Sequence, residues 1–225
     1  PPRSTRKESS AASDVYKRQE YTIVCLSEES FYLISAGAWT EYDSDYLQKS
    51  LADSKLNNVN IYDCTNQWGV FSVAGPNSRK FLRKIVVSED PDKTLSNKEF
   101  PWLSYRDIEI GMCPVRALRV AYTGELGWEL HHPIEMQNYL LDILLSSGEE
   151  FDIKLVGARA QNWLRQEKSY KAFGSDLGRD AGPFESNLSR FVDISKDFLG
   201  KKALLNRKIE VSCVTLLIDG PEDMD

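Results

Sequence analysis

Short apolar runs of strand length follow one another along this chain with only turns between them, and this constrains the fold more than any other feature. Tyr21 to Leu26 and Phe31 to Ser35 read as strands joined by the acidic turn Ser27-Glu28-Glu29-Ser30. Further on, Phe100 to Tyr105, Met112 to Ala121 and Leu126 to His131 read as three successive strands. Neighbours joined by turns pair antiparallel, whereas parallel pairing needs a crossover of a dozen or more residues. Helical patterns are interleaved without a strict βαβ rhythm. Tyr42, Tyr46, Leu47 and Leu51 recur at helical spacing, and Gly75-Pro76 opens a helix with Phe81, Leu82, Ile85 and Val86 on its apolar stripe. The expected fold class is α+β, antiparallel sheets with packed helices.

Other elements are expected between these. Val59 to Tyr62 and Val70 to Ala74 read as strands, and Ser88 to Lys98 as polar, turn-rich chain. Pro133 is expected to start a helix with Met136, Leu140, Ile143 and Leu144 on one face and Gly148 as its stop. A further helix is expected from about Leu155 to Tyr170, with Val156, Ala160, Trp163 and Leu164 on its buried side and Arg165 off that stripe. Gly174 to Gly182 reads as loop, Phe198 to Arg207 as a short helix and Val211 to Ile218 as a final strand.

The 225 residues suffice for one large domain or two small ones, and 41% hydrophobic with 28% charged residues is the balance of a globular protein. No apolar run approaches the roughly 20 residues of a membrane helix. The first nineteen residues carry five basic and two acidic side chains and almost no apolar pattern, so they read not as a secretory signal but as a leader resembling translated cloning adapter, with a transit peptide as the lesser alternative. Their net +3 against a total of -6 leaves the remainder at -9, which argues against a nucleic-acid partner. The four cysteines form no CxxC pair, and the only histidines are adjacent, His131-His132, so no zinc set is expected. Isolated cysteines fit a reducing compartment, cytoplasm or mitochondrial matrix.

The segment Arg119-Val-Ala-Tyr-Thr-Gly-Glu-Leu-Gly-Trp-Glu-Leu130 is the most informative. It reads as strand, glycine-punctuated bend and strand. Gly124 and Gly127 permit backbone angles that other residues resist, and they flank Glu125. Tyr122 and Trp128 add flat apolar surface beside it. A carboxylate can accept two parallel N–H bonds, which suits a planar heterocycle with an amino-amide edge. The plain alternative is a hairpin with a solvent-exposed glutamate and two core aromatics.

The same segment resembles the aminomethyltransferase family, in which the Tyr-Thr-Gly-Glu glutamate binds the pterin of folate. The resemblance runs in order through Glu20-Tyr-Thr-Ile-Val24 with Phe31-Tyr-Leu-Ile-Ser35, Asp63 to Pro76, Leu164-Arg-Gln-Glu-Lys168, Lys171-Ala-Phe-Gly174, Pro183-Phe-Glu-Ser-Asn-Leu188 and Phe198-Leu-Gly-Lys-Lys-Ala-Leu204. Gly-Trp-Glu-Leu after the motif, and Glu-Lys-Ser-Tyr-Lys-Ala-Phe-Gly, are similar to the dimethylglycine and sarcosine dehydrogenases. In those enzymes a flavin half oxidises an N-methyl amine and tetrahydrofolate captures the one-carbon unit.

The resemblance implies a truncated fold of the glycine cleavage T-protein type, with residues 20–195 as a partial folate-binding domain and 196–225 as the start of a following barrel domain. It implies tetrahydrofolate as ligand, a one-carbon unit derived from a methylated amine, no metal and no membrane or nucleic-acid partner. FAD is expected only in a preceding half, since no GxGxxG fingerprint occurs here. Glu20 aligns with the catalytic carboxylate, an Asp in glycine-cleavage enzymes; a functionless strand-edge glutamate is its alternative. Glu125, Tyr122, Trp128, Arg165 and Tyr170 are the implied folate-binding residues, with Phe173 as a further wall. Arg165 offers a fork for a carboxylate, or a surface ion pair with Glu167. Asp63 and the histidine pair rank lower, the pair as a helix entry. The alternatives are a stand-alone glycine-cleavage aminomethyltransferase, or a folate-binding module without turnover like the iron–sulfur-assembly relatives, whose Lys-Gly-Cys-Tyr-Thr-Gly-Gln-Glu signature is absent.

Overall fold

The computed structural model describes residues 21–172, 176–177 and 181–216. They divide into two compact units, one ending at Tyr170 and the other beginning at Lys171. All sheet pairing named below is antiparallel, as expected for the α+β class.

In the first unit, β1 (Thr22–Cys25) pairs with β2 (Phe31–Ile34) in the register Thr22 to Ile34 and Cys25 to Phe31. The turn is closed by the Leu26 N–H donating to the Ser30 carbonyl at 2.8 Å. Val24 buries with Tyr105 and Leu118, against Leu26, Tyr32, Ile34 and Val120. Next comes α1 (Thr40–Asp53), with Glu41 and Asp43 in its first turn, where the helix dipole favours negative charge. Its buried residue is Asp43, which accepts from the Tyr21 hydroxyl at 3.1 Å, and the expected stripe is only half covered. Burial, then Asp43, raises the Tyr21 phenol well above its ordinary value.

The main sheet contains β3 (Trp68–Ala74), β4 (Tyr105–Ile110), β5 (Cys113–Leu118) and β6 (Gly127–Pro133) in the order β3-β6-β5-β4. β3 pairs with β6 along its whole length, from Trp68 opposite Pro133 to Ala74 opposite Gly127. Val73, Ile108, Ile110, Cys113, Val115, Ala117, Trp128 and Leu130 build the core from the strands. Phe81 and Leu82 of α2 (Ser78–Ile85) and Leu140 and Leu144 of α4 (Gln137–Gly148) cover them, with Met136 and Ile143 packed at the margin. The short α3 (Pro91–Thr94) interrupts the turn-rich segment, capped by the Asp90 carboxylate accepting from the Lys93 N–H.

Several elements depart from expectation. Val59 to Tyr62 is coil, exposed except for a half-buried Ile61, with no strand paired to it among the described residues. Phe100 to Tyr105 is not a strand: Pro101 has no N–H to donate and Leu103 takes φ 61°. The strand begins at Tyr105 instead, and Phe100 is a buried core residue. Beyond Pro133 a 3-10 turn (Ile134–Met136) precedes α4, and His131 and His132 lie on β6 rather than at a helix entry. At the far end of α4 a further 3-10 turn (Glu149–Phe151) follows Gly148, and the left-handed residue is Asp152, φ 55°.

The helix expected from Leu155 to Tyr170 is shorter, α5 (Ala158–Glu167), and its sides are reversed. Val156, Ala160 and Trp163 are exposed, Trp163 by 59%, while Arg165 is 3% exposed.

The second unit carries α6 (Lys201–Asn206), within the expected range. No strand forms in residues 211–216, and 217–218 lie outside the described residues. Gly174, Ser175 and 178–180 of the expected loop lie outside them too. Glu185 organises this unit. It is buried, accepts the Gly182 N–H at 2.9 Å and pairs with Arg207, while its carbonyl accepts the Cys213 N–H at 2.7 Å. Burial pushes its carboxyl up, but backbone donors and Arg207 outweigh this and hold it below its ordinary value. A depressed carboxyl contributes stability above its unfolded-state value and loses it as pH falls through its folded-state value. We expect the second unit to lose stability below about pH 4.5, the ordinary glutamate value, and Glu185→Gln to flatten that acid limb. Unfolding followed from pH 7 to pH 3 checks this; an unchanged acid limb in the variant rules it out.

Candidate functional site

β6 enters from a tight reversal, and the sequence dictates its shape. Residues 122–126 form turns and bends between the strand ends. Gly124 takes φ 72°, which strains residues with a Cβ, and its N–H donates to the Ala121 carbonyl at 3.1 Å. A Cβ on Gly124 would run into the Lys168 stem, and one on Gly127 would sit 2.8 Å from the Val73 carbonyl oxygen. The start of α2 pins the far side. The Gly75 N–H donates to the Leu126 carbonyl at 2.8 Å, and the Ser78 hydroxyl lies 2.9 Å from the same oxygen.

Glu125 sits at the crest, 38% exposed, and Lys168 from beyond the end of α5 pairs with it at 3.0 Å. The hydrogen bond to Glu125, then its charge, raises the Lys168 ammonium above its usual value. Lys168 closes the Leu164-Arg-Gln-Glu-Lys168 segment and is a site residue that the sequence reading does not single out.

Arg165 does not display its fork on the surface. The guanidinium is buried and donates to Asn162 Oδ1 and to the Tyr170 carbonyl, both at 2.8 Å. The Tyr170 N–H returns to the Arg165 carbonyl at 2.9 Å. Arg165 thereby ties the chain after α5 into a closed loop, with Lys168 on it and a half-buried Tyr170 at its end.

The structure therefore brings Glu125, Lys168 and the Arg165–Tyr170 loop together, beside half-buried Tyr122. Trp128 lies elsewhere, 0% exposed in the core, edge-on to Phe100 at 6.2 Å. Glu20 and Phe173 lie outside the described residues. Asp63 is exposed and accepts the Thr65 N–H at 2.9 Å, a turn cap whose bonds to Thr65 lower its carboxyl. The histidines are buried. His131 Nδ1 lies 3.1 Å from the Tyr32 hydroxyl and Nε2 3.4 Å from Glu129 Oε2, while His132 stacks on Phe71 at 4.9 Å. Among the described residues, no group of three His, Cys, Asp or Glu side chains is placed to hold a metal ion. No helix among them is long and apolar enough to cross a membrane.

An α+β layer with a glycine-bent loop presenting a carboxylate to a helix end defines the class. Residues 15–196 match the family described as the GCVT N-terminal domain, and the chain belongs to that family. It is 36% identical over 207 residues to mitochondrial dimethylglycine dehydrogenase of Homo sapiens, covering 89% of this chain and 23% of that protein. It is 30% identical over 178 residues to human mitochondrial sarcosine dehydrogenase (78% and 19%) and 29% identical over 193 residues to the aminomethyltransferase of Natranaerobius thermophilus (84% and 50%). The chain thus spans about a quarter of dimethylglycine dehydrogenase and half of the aminomethyltransferase. Among solved structures, the glycine cleavage system aminomethyltransferase T from Bartonella henselae shares the fold, with TM-score 0.66 at 21% identity over 90% of this chain and 52% of that one.

Proposed function

We propose that this chain is the folate-binding, one-carbon-transfer region of a dimethylglycine or sarcosine dehydrogenase-like enzyme. The carrying observation is the placement of Glu125 on the glycine bend against the chain leaving α5. Tetrahydrofolate, when bound, supplies the nucleophilic nitrogen that accepts the one-carbon unit. The residues present fit its pterin: a partly exposed carboxylate at a bend lacking Cβ bulk, with half-buried Tyr122 in the same bend and Tyr170 ending the loop that carries Lys168. Glu125 accepts the amino-amide edge through two parallel N–H bonds. Lys168 pairs with that carboxylate and aligns it until the ligand's donors take its place. Arg165 keeps the loop ending at Tyr170 in position from inside rather than by touching ligand. Trp128 supports the bend from the core. Glu20, two residues before β1, is the proposed catalytic carboxylate; it steadies positive charge on the transferred unit and moves a proton at the folate nitrogens.

In the whole protein a preceding half would carry FAD and select the methylated amine. Residues 196–225 would open the following barrel domain. A compartment of the mitochondrial matrix type in eukaryotes, or the cytoplasm otherwise, follows from the mitochondrial relatives.

Glu125→Ala is expected to weaken tetrahydrofolate binding by about 1–3 kcal/mol, the cost of leaving buried donors of the ligand unpaired. Calorimetric titration of the chain with tetrahydrofolate under anaerobic conditions measures it. A dissociation constant unaltered from the parent chain ends the pterin-clamp assignment.

A further inference from the structure

Three arginines in the first unit each have a carboxylate partner: Arg83 with Asp92, Arg106 with Glu99 and Arg116 with Asp107. Two others do not. Arg79, in the first turn of α2, and Arg119, just past β5, have no carboxylate within ion-pair distance among the described residues. Both pack on one indole, with guanidinium carbons 5.7 and 5.8 Å from the Trp128 ring centre. Each has one neutral acceptor, Asn97 Oδ1 at 2.6 Å for Arg79 and the Phe100 carbonyl for Arg119.

Donors around this point are left over. Arg79 Nε, Arg119 Nε and Trp128 Nε1 are buried without a hydrogen-bond partner; Arg83 Nε and Arg106 Nε are as well, but those two guanidiniums meet a carboxylate through their other nitrogens. Burial, then Arg83, lowers the Arg79 guanidinium from its ordinary value, and burial, then Arg79, lowers Arg119. Two partly desolvated like charges packed on one indole repel, and buried polar atoms without partners are costly. A chain of net charge -6 has carboxylates to spare, yet among the described residues none lies within ion-pair distance here. Guanidinium groups bind planar oxyanions bidentately, and an aromatic ring backing them fixes their planes.

We propose that Arg79 and Arg119 form a binding fork for a small oxyanion, a carboxylate or a phosphate, with the buried Trp128 ring backing both guanidiniums. It rests on the arginine pair and is independent of the folate reading.

The test uses the whole chain in a weakly coordinating buffer. Thermal unfolding and indole emission are followed while sodium phosphate or sodium glutarate is added at ionic strength held constant with sodium chloride. A saturable rise in Tm and a saturable emission change are expected with at least one of the two anions. Preference for glutarate assigns the fork to a carboxylate-bearing molecule, and preference for phosphate to a phosphate. Arg79→Gln keeps a donor for Asn97 and removes one charge. It should weaken the anion at least tenfold, yet match or exceed the parent Tm in anion-poor buffer, because repulsion is relieved. Asn97→Ala removes the protein partner, keeps both charges and should retain anion binding. A parent chain that answers phosphate and glutarate no differently from chloride overturns the proposal. So does an Arg79→Gln chain that binds as the parent does, or that is simply less stable under every condition.

Discussion

Trp128→Ala is expected to cost about 3–5 kcal/mol of the first unit's stability, the range for removing a fully buried large aromatic. The indole is 0% exposed and meets Phe100 edge-on, so truncation leaves a cavity bordered by β-strand backbone that cannot collapse. Against the 5–15 kcal/mol of a typical domain this is a large fraction. A urea titration should show the midpoint falling with little change in slope. The variant also separates two roles for an aromatic beside Glu125. Trp128→Phe keeps a ring in the core and should lose only about 1–2 kcal/mol, since much of the volume remains. Its tetrahydrofolate affinity should stay within about twofold of the parent, as the side chain supports the bend and touches no ligand. If Trp128→Phe is as stable as the parent but binds folate as poorly as Glu125→Ala, Trp128 is a wall of the site and its placement as a support fails.

The motif containing Trp128 is also where the sequence was most readable. Gly124 and Gly127 mark a bend, and both are required, one by φ 72° and the other by close approach to β3. Val70 to Ala74 and Leu126 to His131 carry enough apolar and β-branched residues to be recognised within two residues of β3 and β6. β4 was missed because Arg106, Asp107 and Glu109 alternate with its buried residues, and a strand with one polar face looks like loop beside the apolar run before it. The orientation of α5 was not legible at all. Periodicity identifies an apolar face but not what covers it, and here Trp163 faces outward while Arg165 is drawn in by acceptors on its own chain. A hydrogen bond to a carbonyl five residues ahead depends on the loop's path, which no spacing rule encodes. The same limit applied to Lys168. Its partner lies 43 positions away in the chain, and only the fold brings them to 3.0 Å.

Arg165→Met tests that hidden arrangement and should cost about 3–4 kcal/mol. Two hydrogen bonds from a charged donor are removed, each worth about 1.5–3 kcal/mol, and part is regained because Met need not be desolvated. Met keeps the unbranched stem, so the loss reports the guanidinium rather than packing. The Tyr170 carbonyl and Asn162 Oδ1 lose a donor together, and the loop that carries Lys168 is left with its backbone bonds to Arg165 and Gln166. Amide hydrogen exchange should therefore rise for Lys168, Ser169 and Tyr170, whose N–H groups close that loop, while β5 and β6 remain protected. Folate affinity should fall as well, because Lys168 and Tyr170 are no longer held beside Glu125. Arg165→Lys should not rescue either property, since an ammonium cannot reach two acceptors with the planar geometry of the fork. If exchange at 168–170 is unchanged and only folate binding is lost, Arg165 acts on the ligand directly and the closed-loop explanation is wrong.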